Sequence, residues 1–184
     1  MEDVLRMARD IGFDHRGVLD PATLELRTEV REMCSADRCQ NYGKSWTCPP
    51  ACSSLEEGAA EISKYNSGIL VQTTAFTEDD FDYETMQQAG ELQQERIAKM
   101  LVLLRKSFPQ LLALGSGGCR LCAECTYPNA PCRNPELAVP SMEAYGLWVS
   151  DVCKRNELPY NYGPGSITYT ACFLFNLKNE ITEE

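Results

Sequence analysis

The sequence predicts an α/β fold: a small, mainly parallel sheet with crossover helices and two cysteine-rich, cluster-binding loops beside it. Three observations carry this. Short apolar runs alternate with amphipathic stretches of helical length, an order that usually gives parallel strands with helical crossovers. No apolar run approaches the roughly 18 residues that begin to indicate a membrane span. Eight of the ten cysteines fall into two tight groups, each among turn-forming residues. The 184 residues read as a single iron–sulfur domain (1–184), with cysteine-rich loops at about 34–52 and 115–135.

In chain order, Val4, Leu5 and Met7 to Ile11 predict a first helix, and Arg16 to Leu19 a weak strand. Ser53 and Ser54 are candidate N-caps for a helix through about Tyr65, with Glu56 and Glu57 where the helix dipole favours anions. Asn66-Ser67-Gly68 ends it, and Ile69 to Phe76 reads as a buried strand. A longer helix is expected from about Tyr83 to Ser107, with Ile97, Met100, Leu101, Leu104 and Phe108 at helical spacing. Pro109 limits its end, and Leu111-Leu112-Ala113-Leu114 forms a short strand. Ser141 caps a further helix reaching about Asn156. Asn161-Tyr162-Gly163-Pro164-Gly165 is a loop, and Ile167 to Leu177 a last strand, with Ile167, Tyr169, Ala171, Phe173, Phe175 and Leu177 on one face.

Composition narrows the function. A charged fraction of 24% and an apolar fraction of 43% are those of an ordinary soluble globular protein. The net charge of -10 argues against nucleic-acid binding and against docking on anionic lipid. The opening MEDVLRMARD places acids where an export signal has a basic, then apolar, stretch, so the expected location is cytoplasmic. There the ten cysteines stay reduced, and clustered reduced thiols most often hold metal. A single histidine, His15, leaves little room for a Ser-His-Asp triad or a His-rich zinc site; it reads as a surface or satisfied side chain.

Cys119-x2-Cys122-x2-Cys125-x6-Cys132 is the most informative pattern. Three cysteines at steps of three let one tight loop turn thiolates toward three corners of a cubic [4Fe-4S] cluster, as in the bacterial ferredoxin run, though the last spacing here is longer. Cys132 closes this cube or ligates elsewhere. Zinc is the main alternative, but structural zinc usually draws on two separated Cys-x2-Cys knuckles. Gly115, Gly117 and Gly118 permit close backbone approach to a cluster, or form an ordinary strand-to-loop turn. Pro128, Pro131 and Pro135 stiffen the loop. Arg120 and Arg133 either offset cluster charge or are solvated.

Cys34-x4-Cys39-x8-Cys48-x3-Cys52 is a less diagnostic spacing. Four thiols within 19 residues can enclose one metal centre, a second [4Fe-4S] cluster in preference to zinc. Tyr42 and Trp46 either cover that centre or are core aromatics. Cys153, on the expected last helix, and Cys172, on the last strand, read as buried structural cysteines.

Trp46-Thr47-Cys48-Pro49-Pro50, Gly118-Cys119-Arg120-Leu121-Cys122-Ala123-Glu124-Cys125, Pro131-Cys132-Arg133 and Pro140-Ser141-Met142-Glu143-Ala144-Tyr145-Gly146 resemble an uncharacterised prokaryotic family of predicted cysteine-rich metal-binding proteins. The likeness runs roughly from Cys34 to the last strand. It implies metal binding, iron–sulfur in kind, in bacteria or archaea of anaerobic habit, and supplies no reaction.

Three functions remain in view. Electron transfer through two [4Fe-4S] clusters to or from a redox partner protein is preferred, and the acidic surface would favour a partner with a basic docking face. A cluster-dependent enzyme with one open iron acting as Lewis acid is second, dehydrating or desulfurating its substrate, with Glu143, Glu124 or Tyr145 as acid–base groups. A structural zinc protein that binds another protein is third. The expected ligands are Cys34, Cys39, Cys48, Cys52, Cys119, Cys122, Cys125 and Cys132, with Gly117, Gly118, Arg120 and Trp46 around the cofactor.

Overall fold

The computed structural model describes residues 1–79 and 81–177. Its elements are α1 (Glu2–Ile11), β1 (His15–Leu19), α2 (Thr28–Ser35), α3 (Leu55–Ile62), β2 (Ser67–Phe76), α4 (Tyr83–Ser107), β3 (Leu111–Leu114), α5 (Val149–Arg155) and β4 (Ser166–Phe175). Short 3₁₀ turns lie at Pro21–Thr23 and Glu143–Tyr145. Among the described residues no helix is long and apolar enough to cross a membrane.

The four strands form one sheet in the order β1-β2-β4-β3, and every neighbouring pair is antiparallel. This corrects the expected mainly parallel sheet. β2 and β3 do run the same way and are joined by the crossover helix α4. However, β4 inserts between them, with Ile69 opposite Phe173 on one side and Ala113 opposite Phe173 on the other. Such a split β-α-β has the same linear pattern as an adjacent parallel pair. Only the spatial order of strands separates the two.

Helices cover both faces of the sheet. On one face Ile69, Val71, Ala171, Phe173 and Phe175 meet Val4 and Ala8 of α1 and Ile97, Met100, Leu101 and Leu104 of α4. On the other, Leu70, Cys172 and Leu174 meet Ile62 of α3, Val152 and Cys153 of α5, and Met142 and Leu147. Both faces of β4 are therefore core, and the alternation expected there describes one of its two apolar sides. Burying a side chain such as Phe173 or Leu174 stabilises the fold by about 1.5–3 kcal/mol.

Two local features also differ from expectation. α2 buries only Val30, so its sequence has no apolar stripe to announce it. The helix expected from Ser141 to Asn156 is interrupted: one 3₁₀ turn ends at Gly146, which sits at φ +83°, and α5 begins only at Val149. A left-handed residue cannot continue a right-handed helix.

The start of α3 follows its sequence signal. The Glu57 N–H donates to Ser54 Oγ at 3.1 Å, and the Ser54 N–H donates to the Glu57 carboxylate at 2.8 Å, forming a reciprocal capping box. Ser54→Ala is expected to cost about 1 kcal/mol. The loss should appear as a lower urea midpoint at unchanged slope, and a midpoint equal to the parent's would show that the cap contributes nothing.

Candidate metal centres

The first cysteine loop leaves the end of α2 and returns to the start of α3. Cys34 occupies the last turn of α2. Asp37 and Gln40 then adopt left-handed backbone (φ +48° and +57°) and bracket Cys39, which is exposed. The Asp37 carboxylate fixes this turn by accepting the Tyr42 N–H at 2.8 Å. Cys48 and Cys52 lie on one tight turn, in which the Cys52 N–H donates to the Cys48 carbonyl at 3.1 Å. The carbonyls of the 3₁₀ turn and Ala144 supply the other wall. The Cys34 thiol lies 3.9 Å from the Glu143 oxygen and the Cys52 thiol 3.7 Å from that of Ala144. Arg31, one helical step before Cys34, holds this wall by donating to the Ala144 carbonyl and, at 3.4 Å, to that of Cys52.

Cys39 and Cys52 each lie within electrostatic reach of Cys34 and Cys48, as those two do of each other. Burial raises the Cys34 and Cys52 thiols, and the Arg31 guanidinium opposes that rise. Burial pushes Cys48 up to about 11. Cys34, Cys48 and Cys52 therefore hold their protons at neutral pH without metal, and a metal centre would displace them. Cys34, Cys39 and Cys48 line a mainly apolar cavity of about 330 Å³, walled by Val30, Met33 and Pro49 and closed by Gly117 and Gly118 of the second loop. Glu143, exposed on the 3₁₀ turn, lines it too. Cys52 borders an adjoining cleft of about 600 Å³ with Arg31, Tyr42 and Glu57.

The second loop is sealed at its base. The Gly115 N–H donates to the Pro140 carbonyl at 2.8 Å, and the Met142 N–H to that of Gly115 at 2.9 Å. Gln94 of α4 donates to the Gly118 carbonyl at 3.1 Å, Arg105 donates to that of Glu136, and Leu137 and Val139 pack on the first core. Within this frame Cys119 lies within electrostatic reach of Cys132, Cys122 and Cys125, and burial is the largest cause of its raised pKa. Cys125 differs. The Tyr127 N–H, then the Trp46 N–H and the Ser45 hydroxyl, hold it below the ordinary thiol value despite a smaller opposing effect of burial. Asn134 Nδ2 donates to Cys122 Sγ at 3.3 Å. Donors aimed at ligand sulfurs are the groups that raise the potential of a thiolate-bound centre.

The two loops pack on each other. Trp46 Nε1 donates to the Ala130 carbonyl at 3.1 Å, and its ring meets Tyr127 edge-on at 5.0 Å. A Cβ on Gly118 would fall 2.6 Å from Asn41 Nδ2. Trp46, though part of the first loop, therefore covers the second, while Gly117 and Gly118 face the first cavity. Arg120 pairs at 3.8 Å with the exposed Glu91 on α4. Tyr145 belongs to the second core, and Glu124 is exposed. Cys153 and Cys172 are fully buried between α5 and β4, where burial pushes Cys172 up to about 12. Arg31, Ser45 and Asn134 were not foreseen; only Arg31 carried a signal, its i, i+3 spacing to Cys34 on a helix.

Among the described residues, no three His, Cys, Asp or Glu side chains stand close enough to share a single metal ion. What the geometry defines is a four-stranded antiparallel sheet with helices on both faces and two cysteine-rich loops packed on each other. The chain belongs to the family of predicted metal-binding proteins DUF2284, which matches residues 17–175. No curated protein and no solved structure matches it.

Proposed function

We propose that this is an iron–sulfur protein that holds a [4Fe-4S] cluster in each quartet and passes electrons to or from a partner enzyme. The observation that carries this is the cavity at the first quartet. Three cysteines, Cys34, Cys39 and Cys48, are among the residues lining a mainly apolar volume of about 330 Å³, room for a four-iron cube and far more than one ion needs. Zinc would draw four sulfurs to about 3.8 Å of one another, from bonds of about 2.3 Å in a tetrahedron. The donor set agrees: eight thiols, no histidine among them, and backbone or amide N–H groups aimed at Cys125 and Cys122. When bound, such clusters supply one-electron transfer. The chain itself sets the buried Val30 and Pro49 against the first quartet, which limits access of water. It brings the second, in a loop of largely exposed residues, toward the surface where a partner docks.

Strictly anaerobic preparation is expected to give a brown protein with about eight iron and about eight sulfide per chain, electron-paramagnetic when reduced. A colourless protein with stoichiometric zinc from the same preparation would overturn this reading. The cleft beside Cys52 supports a second one. Arg31 and Tyr42 there could hold a substrate against the first quartet, and reduction-independent turnover of a small hydroxy or thio acid would favour the enzyme.

A further inference from the structure

Away from both quartets, a groove of about 650 Å³ runs between α1, β1 and the segment leading into β4. Its composition departs from the acidic surface around it. Arg6 and Arg9, paired with Asp3 at 2.6 Å and Asp10 at 3.0 Å, line it together with Arg16, beside a pair of aromatic rings, His15 and Tyr162, stacked at 3.6 Å and 10°. We propose that this groove binds a mononucleotide: a flat heteroaromatic ring against the His15–Tyr162 stack and the phosphate on Arg16.

Two independent features support a built site. The aromatic shelf is anchored from below. The Tyr162 hydroxyl donates to Gln72 Oε1 at 2.7 Å, and Gln72, fully buried in β2, donates in turn to the Pro159 carbonyl at 2.9 Å and to Thr170 Oγ1 at 3.3 Å. A ring held this way loses little freedom when a ligand stacks on it. Burial, as the largest effect, lowers the His15 pKa, so at neutral pH its ring serves as an uncharged plate. The second feature is charge. Two acids also line the groove, Glu2 and Asp14, but the Asp14 carboxylate is already engaged by Arg96 at 2.9 Å and by the Thr74 N–H at 3.1 Å. Arg16, on the edge strand β1, has no ion-pair partner among the described residues, leaving its planar fork available for a phosphate. Leu5, Leu158 and Pro159 give the apolar remainder of the lining, and the volume is that of an ordinary small-molecule site.

The test is calorimetric titration of the cluster-loaded full chain with AMP, ATP, adenosine and inorganic phosphate. AMP or ATP is expected to bind, with affinity reduced at least about tenfold by Arg16→Ala and by Tyr162→Leu. Tyr162→Phe keeps the ring and should retain most of the binding, which guards against loss of fold as the explanation. Iron content and visible spectrum, unchanged across these variants, would show that the quartets are unaffected. No heat with AMP or ATP overturns the proposal, as does inorganic phosphate binding as tightly as AMP, or affinity that Arg16→Ala leaves unaltered.

Discussion

Cys48→Ser is expected to remove about half of the bound iron, about four of about eight atoms per chain, and to leave the second centre spectroscopically intact. Cys122→Ser should do the reverse. The effect is large because Cys48 is the most enclosed member of its quartet, 8% exposed, and it lines the same cavity as Cys34 and Cys39. A serine hydroxyl keeps the shape of the site, yet its far higher pKa denies the metal an anionic sulfur ligand. Cys153→Ser and Cys172→Ser serve as controls: they lie between α5 and β4, so iron should stay at the parent level while stability falls from burying a hydroxyl. Iron and sulfide counts with reduced-state paramagnetic spectra read all four variants. Full iron in Cys48→Ser would remove the first quartet from the ligand set. Loss of all iron in either variant would mean one shared centre.

The two cysteine-rich loops were legible because cysteine spacing is local information. Runs of Pro, Gly and Asn around the cysteines mark these segments as turns and loops. α4 was legible because Ile97, Met100, Leu101 and Leu104 form one apolar stripe, and the cap of α3 because Ser54 and Glu57 stand three apart. Strand order was not, since nothing in residues 67–114 marks that β4, more than fifty positions later, enters between β2 and β3. The packing of Trp46 over the second loop was hidden for the same reason: its partners Tyr127 and Ala130 are more than eighty residues away. The groove of His15 and Tyr162 joins chain ends that the sequence sets far apart, so a lone histidine read as inert became part of a shelf only in three dimensions.

Gly146→Val is expected to destabilise the metal-free protein by about 3 kcal/mol, a drop of about 6–12 °C in Tm for a chain of this size. Two costs add. The backbone at φ +83° is a conformation that a β-branched residue adopts only under strain. A Cβ there would also stand 2.6 Å from Leu55 Cδ2 and 3.0 Å from the Arg27 carbonyl oxygen, and the latter cannot rotate away. Gly146 further ties the site to the fold: its N–H donates to the Glu143 carbonyl at 2.9 Å, and its own carbonyl accepts the Arg27 N–H at 2.8 Å. Relief of the clash must therefore move the Glu143–Ala144 carbonyls that face Cys34 and Cys52. The variant should consequently lose iron from the first quartet while the second stays loaded, and Gly146→Ala should show the same pattern more weakly. Thermal denaturation of metal-free protein under reductant measures the first effect, and iron counts after anaerobic reconstitution the second. A Tm within about 2 °C of the parent's would show that Gly146 is not confined as described. A large Tm loss with both centres fully loaded would instead uncouple the 3₁₀ turn from the first quartet, leaving the cysteine loop itself to hold that centre.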